Sequence, residues 1–182
     1  MATQSSAARA RTGGNPFLRF VNGMSMVAGW TAAAMILASV LITCQMIFVR
    51  FVLNQSTVWQ TEAVIYLMVA STMIGLSYVQ HMRGHVNVDL IPLALGPRGR
   101  FWLAMVTMGL SIAVVAVLFW YAYDFWHLAW SRGWKSETVW AVRLWIPYLA
   151  IPVGFGLLLL QLIADLVALI TGADKPFGLE TS

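Results

Sequence analysis

Four long apolar stretches constrain this chain more than any other feature of its sequence. They run from about residue 23 to 53, 58 to 80, 101 to 130 and 145 to 170. A helix needs about 20 apolar residues to cross about 30 Å of hydrocarbon, and each stretch meets that length. The stretches are continuously apolar and lack the alternation of a membrane β-barrel. The sequence therefore predicts an all-α integral membrane protein, with four transmembrane helices in a bundle formed by residues 17–171.

Charge is scarce in this chain. Its residues are 60% hydrophobic and 10% charged, whereas a soluble domain has about 25% charged residues. We therefore exclude a soluble enzyme, a nucleic-acid-binding protein and a disordered chain, and expect phospholipids around the helices. Residues 1–16 and 172–182 are predicted to be tails, the first of them disordered. The first and third helices approach 30 residues, so we expect them to tilt or to project beyond the lipid.

The positions of lysine and arginine predict the orientation. Seven of these residues lie on one side of the predicted membrane, namely Arg9, Arg11, Arg19, Arg83, Arg98, Arg100 and Lys175. Four lie on the other side, namely Arg50, Arg132, Lys135 and Arg143. Because cytoplasmic segments carry the excess of basic residues, we expect both termini to be cytoplasmic.

Ionisable groups inside the spans are few and lie near the span ends. Asp124 falls toward the periplasmic end of the third span and Asp165 toward the cytoplasmic end of the fourth, while Gln45 and Gln161 lie deeper. Ion-coupled carriers place their sites near the bilayer midplane, and no predicted span has a carboxylate there. We therefore expect Asp124 and Asp165 to form interhelical hydrogen bonds or to lie at the membrane interface.

No pattern indicates a cofactor, a metal ion or a catalytic residue. His81 and His85 are four residues apart, but Gly84 separates them at a predicted helix end, and His127 lies on the opposite side of the membrane. The geometry therefore disfavours a haem held by two facing histidines. The single Cys44 permits no internal disulfide, and we interpret it as a small buried thiol. We expect a protein that is not an enzyme.

Two further patterns concern packing. Small residues recur at four-residue spacing, which lets helices approach closely in lipid; they are Ser25, Gly29 and Ala33 in the first span and Ser71 and Gly75 in the second. These positions predict helix packing, either inside the bundle or against another subunit. Five tryptophans crowd the periplasmic ends of the last two spans, as an interface belt or as a docking rim; they are Trp126, Trp130, Trp134, Trp140 and Trp145.

Short motifs, taken in order, resemble the small membrane subunit of tripartite ATP-independent periplasmic (TRAP) transporters, the DctQ or small-permease family. The strongest is the segment RGHVNVD at residues 83–89. The others are Arg50-Phe51, Trp59, Glu62, Gly75, Ile146-Pro147-Tyr148 and Ile151-Pro152-Val153-Gly154. Within the segment, we expect Arg83, Gly84, His85 and Asp89 to form a structural turn after the second helix.

The resemblance implies a scaffold subunit that is not itself a complete carrier. Its partners would be a large membrane permease, which holds the substrate and sodium sites, and a soluble periplasmic solute-binding protein. Together they would take up a carboxylate or a related organic anion by symport across the bacterial cell inner membrane. The resemblance implies no cofactor in this chain, since the sodium ion belongs to the large subunit.

Charged residues at the predicted periplasmic ends are candidates for docking the binding protein. They are Arg50, Glu62, Arg132, Lys135 and Arg143. Basic groups steer an acidic partner, although lipid headgroups account equally well for these positions. An alternative function is the membrane-anchor subunit of a respiratory or other multi-subunit enzyme, which is also a small helical membrane protein.

Overall fold

A computed structural model describes residues 16–82 and 96–171 of the chain. The described residues form helices α1 (Pro16–Phe51), α2 (Val58–His81), α3 (Pro97–Ser131), α4 (Trp145–Tyr148) and α5 (Ala150–Ile170). Segments 1–15 and 172–182, and the predicted turn with Arg83, Gly84, His85 and Asp89, lie outside these residues. Leu149 separates α4 from α5, and the two form one span.

The prediction of four membrane helices is confirmed. Four helical segments, the last comprising α4 and α5, are long and apolar enough to cross a membrane. α3 begins at Pro97, before its apolar stretch, because proline is well suited to the first turn of a helix. At 36 residues, α1 is about 54 Å long at about 1.5 Å per residue. The predicted side on which the termini lie stays a prediction.

The helices pack around a core of three. α1 packs mainly against α2, α2 also packs against α5, and α1 contacts α5 more lightly. α3 makes its extensive contacts with α5 and α4 alone among the described elements. It therefore flanks the other helices, and the described residues leave most of its surface uncovered.

Two glycines permit the closest helix contacts. A methyl group at Gly154 of α5 would overlap the backbone carbonyl of Met73 on α2. One at Gly29 of α1 would overlap the ring of Tyr78, also on α2. These glycines let α2 lie directly against both neighbours, as small residues do between helices in lipid.

The small residues predicted to pack differ in their surroundings. Ser25 and Ser71 are buried, and Gly29 and Gly75 face the α1–α2 contact, where Gly75 lies opposite Ala32. Ala33 is exposed, because the buried row of α1 passes through residues 25, 28 and 32. It contributes to packing only if another molecule covers that face.

The interpretation of Cys44 as a buried thiol is wrong. The side chain is exposed on α1. In a membrane protein both the core and the lipid-facing surface are apolar, so an apolar neighbourhood in the sequence does not indicate burial.

Candidate functional site

Polar side chains gather at two levels of the bundle. One group lies toward the start of α1 and the end of α5, and we call it the polar network. The other lies at the opposite end, where residues 132–144 connect α3 to α4, and we call that connection the hairpin.

The polar network is centred on Gln161 of α5, which is fully buried. Its carbonyl oxygen accepts a hydrogen bond of 2.7 Å from the Ser25 hydroxyl of α1. Its amide nitrogen donates to Asp165 at 2.9 Å and to Asn22 at 3.3 Å. Gln80 of α2 donates to the other Asp165 oxygen at 3.0 Å. The network thus cross-links α1, α2 and α5, and the interhelical bond expected of Asp165 is confirmed.

The hairpin is held by backbone hydrogen bonds. The Ser136 amide donates to the Val142 carbonyl at 2.8 Å, and the Leu144 amide donates to the Trp134 carbonyl at 2.9 Å. These bonds flank an isolated antiparallel bridge between Lys135 and Arg143. The bridge places Lys135 and Arg143 side by side at the two ends of the hairpin segment, and both are exposed.

A buried carboxylate anchors the hairpin to α2. Glu62 is only 8% exposed, and its Oε1 atom accepts a hydrogen bond of 2.8 Å from the Ser136 hydroxyl. Tyr66, one turn further along α2, also lies near Ser136. The Glu62 Oε2 atom is buried and has no hydrogen-bond partner among the described residues. The carboxylate therefore faces the inside of the hairpin, away from its outer surface.

Aromatic rings fasten the hairpin to the helices beside it. Trp140 packs edge-on against Trp59 of α2, with ring centroids 6.3 Å apart. Trp134 packs against Phe125 of α3, with centroids 6.0 Å apart. Each such pair contributes about 0.5–1.5 kcal/mol beyond the area it buries. The hairpin is thus fixed at three places, two aromatic and one polar.

The remaining tryptophans join α3 to the start of the fourth span. The Trp126 indole donates a hydrogen bond of 3.1 Å to the Trp145 carbonyl. Trp130 lies with its ring centroid 5.1 Å from each of these two indoles. The choice between an interface belt and a docking rim stays open for these residues.

Two cavities adjoin the hairpin. An apolar cavity of about 470 Å³ lies among residues of the hairpin, α2 and α5, including Trp140, Tyr66 and Val153. A second, of about 480 Å³, is lined by hairpin residues that include Lys135 and Glu137. Within residues 16–82 and 96–171, no three His, Cys, Asp or Glu side chains come together as metal ligands.

The predicted docking residues therefore divide into two kinds. Lys135 and Arg143 lie together on the outer surface of the hairpin, and Arg132 is exposed at its base, directly after α3. Arg50 is exposed on the last turn of α1. Glu62 is buried beneath the hairpin, so it is placed to shape the surface and not to form it.

The sequence did not identify Ser136 and Tyr66 as site residues. Ser136 pairs with a carboxylate 74 positions earlier, and no periodicity links a loop serine to a helix glutamate at that distance. The sequence indicates the polar network in part, since Gln161 and Asp165 are polar residues in an otherwise apolar span. Their partners Asn22 and Gln80 lie near the ends of other spans, where polar residues are common.

These features define a small polytopic helical membrane protein, with its helices cross-linked near one end and an ordered basic hairpin at the other. The chain belongs to the DctQ family: the model of "Tripartite ATP-independent periplasmic transporters, DctQ component" matches residues 39–172. It is 22% identical over 156 residues to the C4-dicarboxylate TRAP transporter small permease protein DctQ of Vibrio cholerae serotype O1 (strain ATCC 39315 / El Tor Inaba N16961). That match covers 74% of this chain and 67% of the relative. The family is one of transporter subunits.

Proposed function

We propose that this chain is the scaffold subunit of a TRAP-type secondary transporter, supporting the large permease and helping to dock a periplasmic solute-binding protein. One observation carries the proposal. Two of the three carboxylates in the described helices, Glu62 and Asp165, bond to other parts of the same chain. They hold the subunit together, which leaves solute and ion binding to the large permease.

The hairpin supplies the docking surface in this proposal. Lys135 and Arg143 stand side by side on it, and Arg132 follows α3 at its base. With both termini in the cytoplasm, the hairpin faces the periplasm. A cluster of one charge sign raises the association rate of a partner of opposite sign by about 10- to 1000-fold at low ionic strength. The partner surface is accordingly acidic.

Glu62 acts indirectly in this proposal. Its hydrogen bond to Ser136 fixes the hairpin segment that carries Lys135. Because the carboxylate is buried, it sets the geometry of the docking surface without touching the binding protein.

The transported solute in this proposal is a carboxylate or a related organic anion. The name of the Vibrio cholerae relative, a C4-dicarboxylate transporter component, supports that class. Sodium would bind in the large permease, and the complex would lie in the bacterial inner membrane.

The docking proposal is tested by charge reversal in the complete transporter. Lys135→Glu with Arg143→Glu should lower uptake about tenfold or more at limiting binding protein and low salt, and much less at saturating binding protein, because steering affects encounter. The matched control is Arg19→Glu with Arg98→Glu, which changes the charge equally at the other end of the bundle. Both residues are exposed.

Co-purification of the permease should be unchanged in both variants, which separates docking from assembly. Equal uptake by the two variants at limiting binding protein would contradict docking on the hairpin. It would leave the membership of the transporter complex untouched.

A further inference from the structure

One face of α3 is exposed along nearly its whole length. The face, which we call the α3 stripe, consists of Trp102, Val106, Gly109, Ala113, Val117, Trp120 and Asp124, and every one of them is exposed. Successive members are four or three residues apart. At about 100° per residue, they lie within about 60° of Asp124 around the helix. A seam with this spacing is typical of a helix that packs along a second helix.

A carboxylate such as that of Asp124 is unfavourable against lipid hydrocarbon. The next residue, Phe125, lies with its ring 5.1 Å from that of Tyr148, so Asp124 is level with the first turns of the fourth span. Ionisable residues inside membrane spans almost always face protein or a water-filled cavity, and they pair with other groups there. Glu62 and Asp165 follow this rule within the chain, whereas Asp124 is directed outward.

Two small residues of the stripe lie outside the helix contacts of the described residues. A methyl group at Gly109 would meet no atom within 4 Å, and Ala113, four residues later, is exposed. Glycine in the interior of a helix is destabilising relative to alanine. Small residues four apart let another helix approach closely in a membrane, and such a contact accounts for their presence.

We propose that the α3 stripe is the surface on which a membrane helix of the large permease packs, with a lysine, arginine or amide donor placed against Asp124. This inference rests on the proposed function and specifies the face that meets the permease. A second copy of the chain is a poor occupant. Two copies inserted in the same orientation and related by a two-fold axis would bring their Asp124 carboxylates together at the same depth, and like charges repel.

Cross-linking in the assembled complex tests the contact directly. A photoreactive phenylalanine analogue replaces Val117 on the stripe or, as a control, Leu118, which is also exposed but lies about 100° further round the helix. We expect position 117 to yield a cross-linked peptide identified by mass spectrometry as part of the large permease. Position 118 should yield at least fivefold less.

Substitutions test the same contact without a probe. Asp124→Lys should lower the permease recovered with the chain at least tenfold, and Gly109→Leu severalfold. The control Ser111→Leu adds similar bulk at another exposed position, about 140° round the helix from Asp124 and about 160° from Gly109, and should have no effect. Thermal stability of the isolated chain should not fall in any of the three, because the substituted positions are exposed.

The outcomes separate the two proposals. A cross-link from position 117 to a second copy of the chain, or permease recovery equal to wild type in both stripe variants, overturns the inference and leaves the proposed function standing. Failure of the wild-type chain to recover any large permease from its native membrane overturns both.

Discussion

The side-chain amide of Gln161 uses its carbonyl oxygen and its nitrogen for bonds to other side chains. In hydrocarbon no water replaces a missing partner, so a buried amide must be satisfied by protein. The sequence marks Gln161 as an unusual polar residue in an apolar span. It cannot reveal Ser25 and Asn22 as its partners, since they lie 136 and 139 positions away on a helix whose depth in the membrane is set only by packing.

The Gln161 network should stabilise the fold measurably. Gln161→Leu removes one hydrogen bond each from Ser25, Asn22 and Asp165, and we expect the free energy of unfolding in detergent to fall by about 1–2 kcal/mol. Gln45→Leu is the matched control, because Gln45 is exposed on α1. Thermal or denaturant unfolding measures the free energy of unfolding of both variants. An equal loss in the two variants would show that the buried bonds contribute nothing specific.

The contact at Gly154 should tolerate no side chain. Gly154→Ala places a methyl group against the Met73 carbonyl, and overpacking of this kind costs about 1–3 kcal/mol. Gly109→Ala is the control, since its surroundings are open; there alanine should be neutral or stabilise by about 0.5–1 kcal/mol. Thermal or denaturant unfolding in detergent measures the stability of both variants. A Gly154→Ala chain as stable as Gly109→Ala would contradict the close approach of α2 and α5.

At the scale of elements, the four membrane spans could be predicted from the sequence. The structure of the hairpin, which connects the last two spans, could not. Apolar stretches of more than 20 residues identify helices by length alone. The hairpin contains charged and aromatic residues without alternation, so its bridge between Lys135 and Arg143 has no local signal. The bridge depends on the distant anchors Trp59 and Glu62 of α2.

Removal of the carboxylate anchor should loosen the hairpin and nothing else. Glu62→Ala deletes the bond to Ser136, so the amides of Ser136 and Leu144, which bond across the hairpin, should exchange with solvent deuterium several times faster. Exchange in α5 should be unchanged. Hydrogen exchange with mass spectrometry measures both segments.

Glu137→Ala is the control for this experiment, since Glu137 is exposed in the same hairpin. It should leave the exchange rates at their wild-type values. Unaltered hairpin exchange in Glu62→Ala would show that the aromatic contacts alone hold the segment.

At the scale of the whole molecule, hydropathy identifies the membrane-spanning helices but not which faces of those helices pack against one another. Ala33 and Cys44 illustrate the limit. The spacing of small residues predicts packing for Ala33, the apolar neighbourhood predicts burial for Cys44, and both are exposed. Lipid tails are as apolar as a protein core, so the contrast that marks an inner face in a soluble protein is absent. Polar residues distinguish the faces instead. Gln161 and Glu62 lie at contacts inside the bundle, and Asp124 lies on the face where we propose that the large permease packs.

In the proposed function the chain is a support that transports nothing alone. The most direct test is uptake into proteoliposomes, under an ion gradient, of the radiolabelled organic anion that the transporter's own binding protein binds, with the chain, the large permease and the binding protein present together or omitted one at a time. We predict uptake with all three components, a loss of at least tenfold when this chain is omitted, and none with the chain and binding protein alone. Gradient-driven uptake by the chain without the permease would contradict the scaffold role.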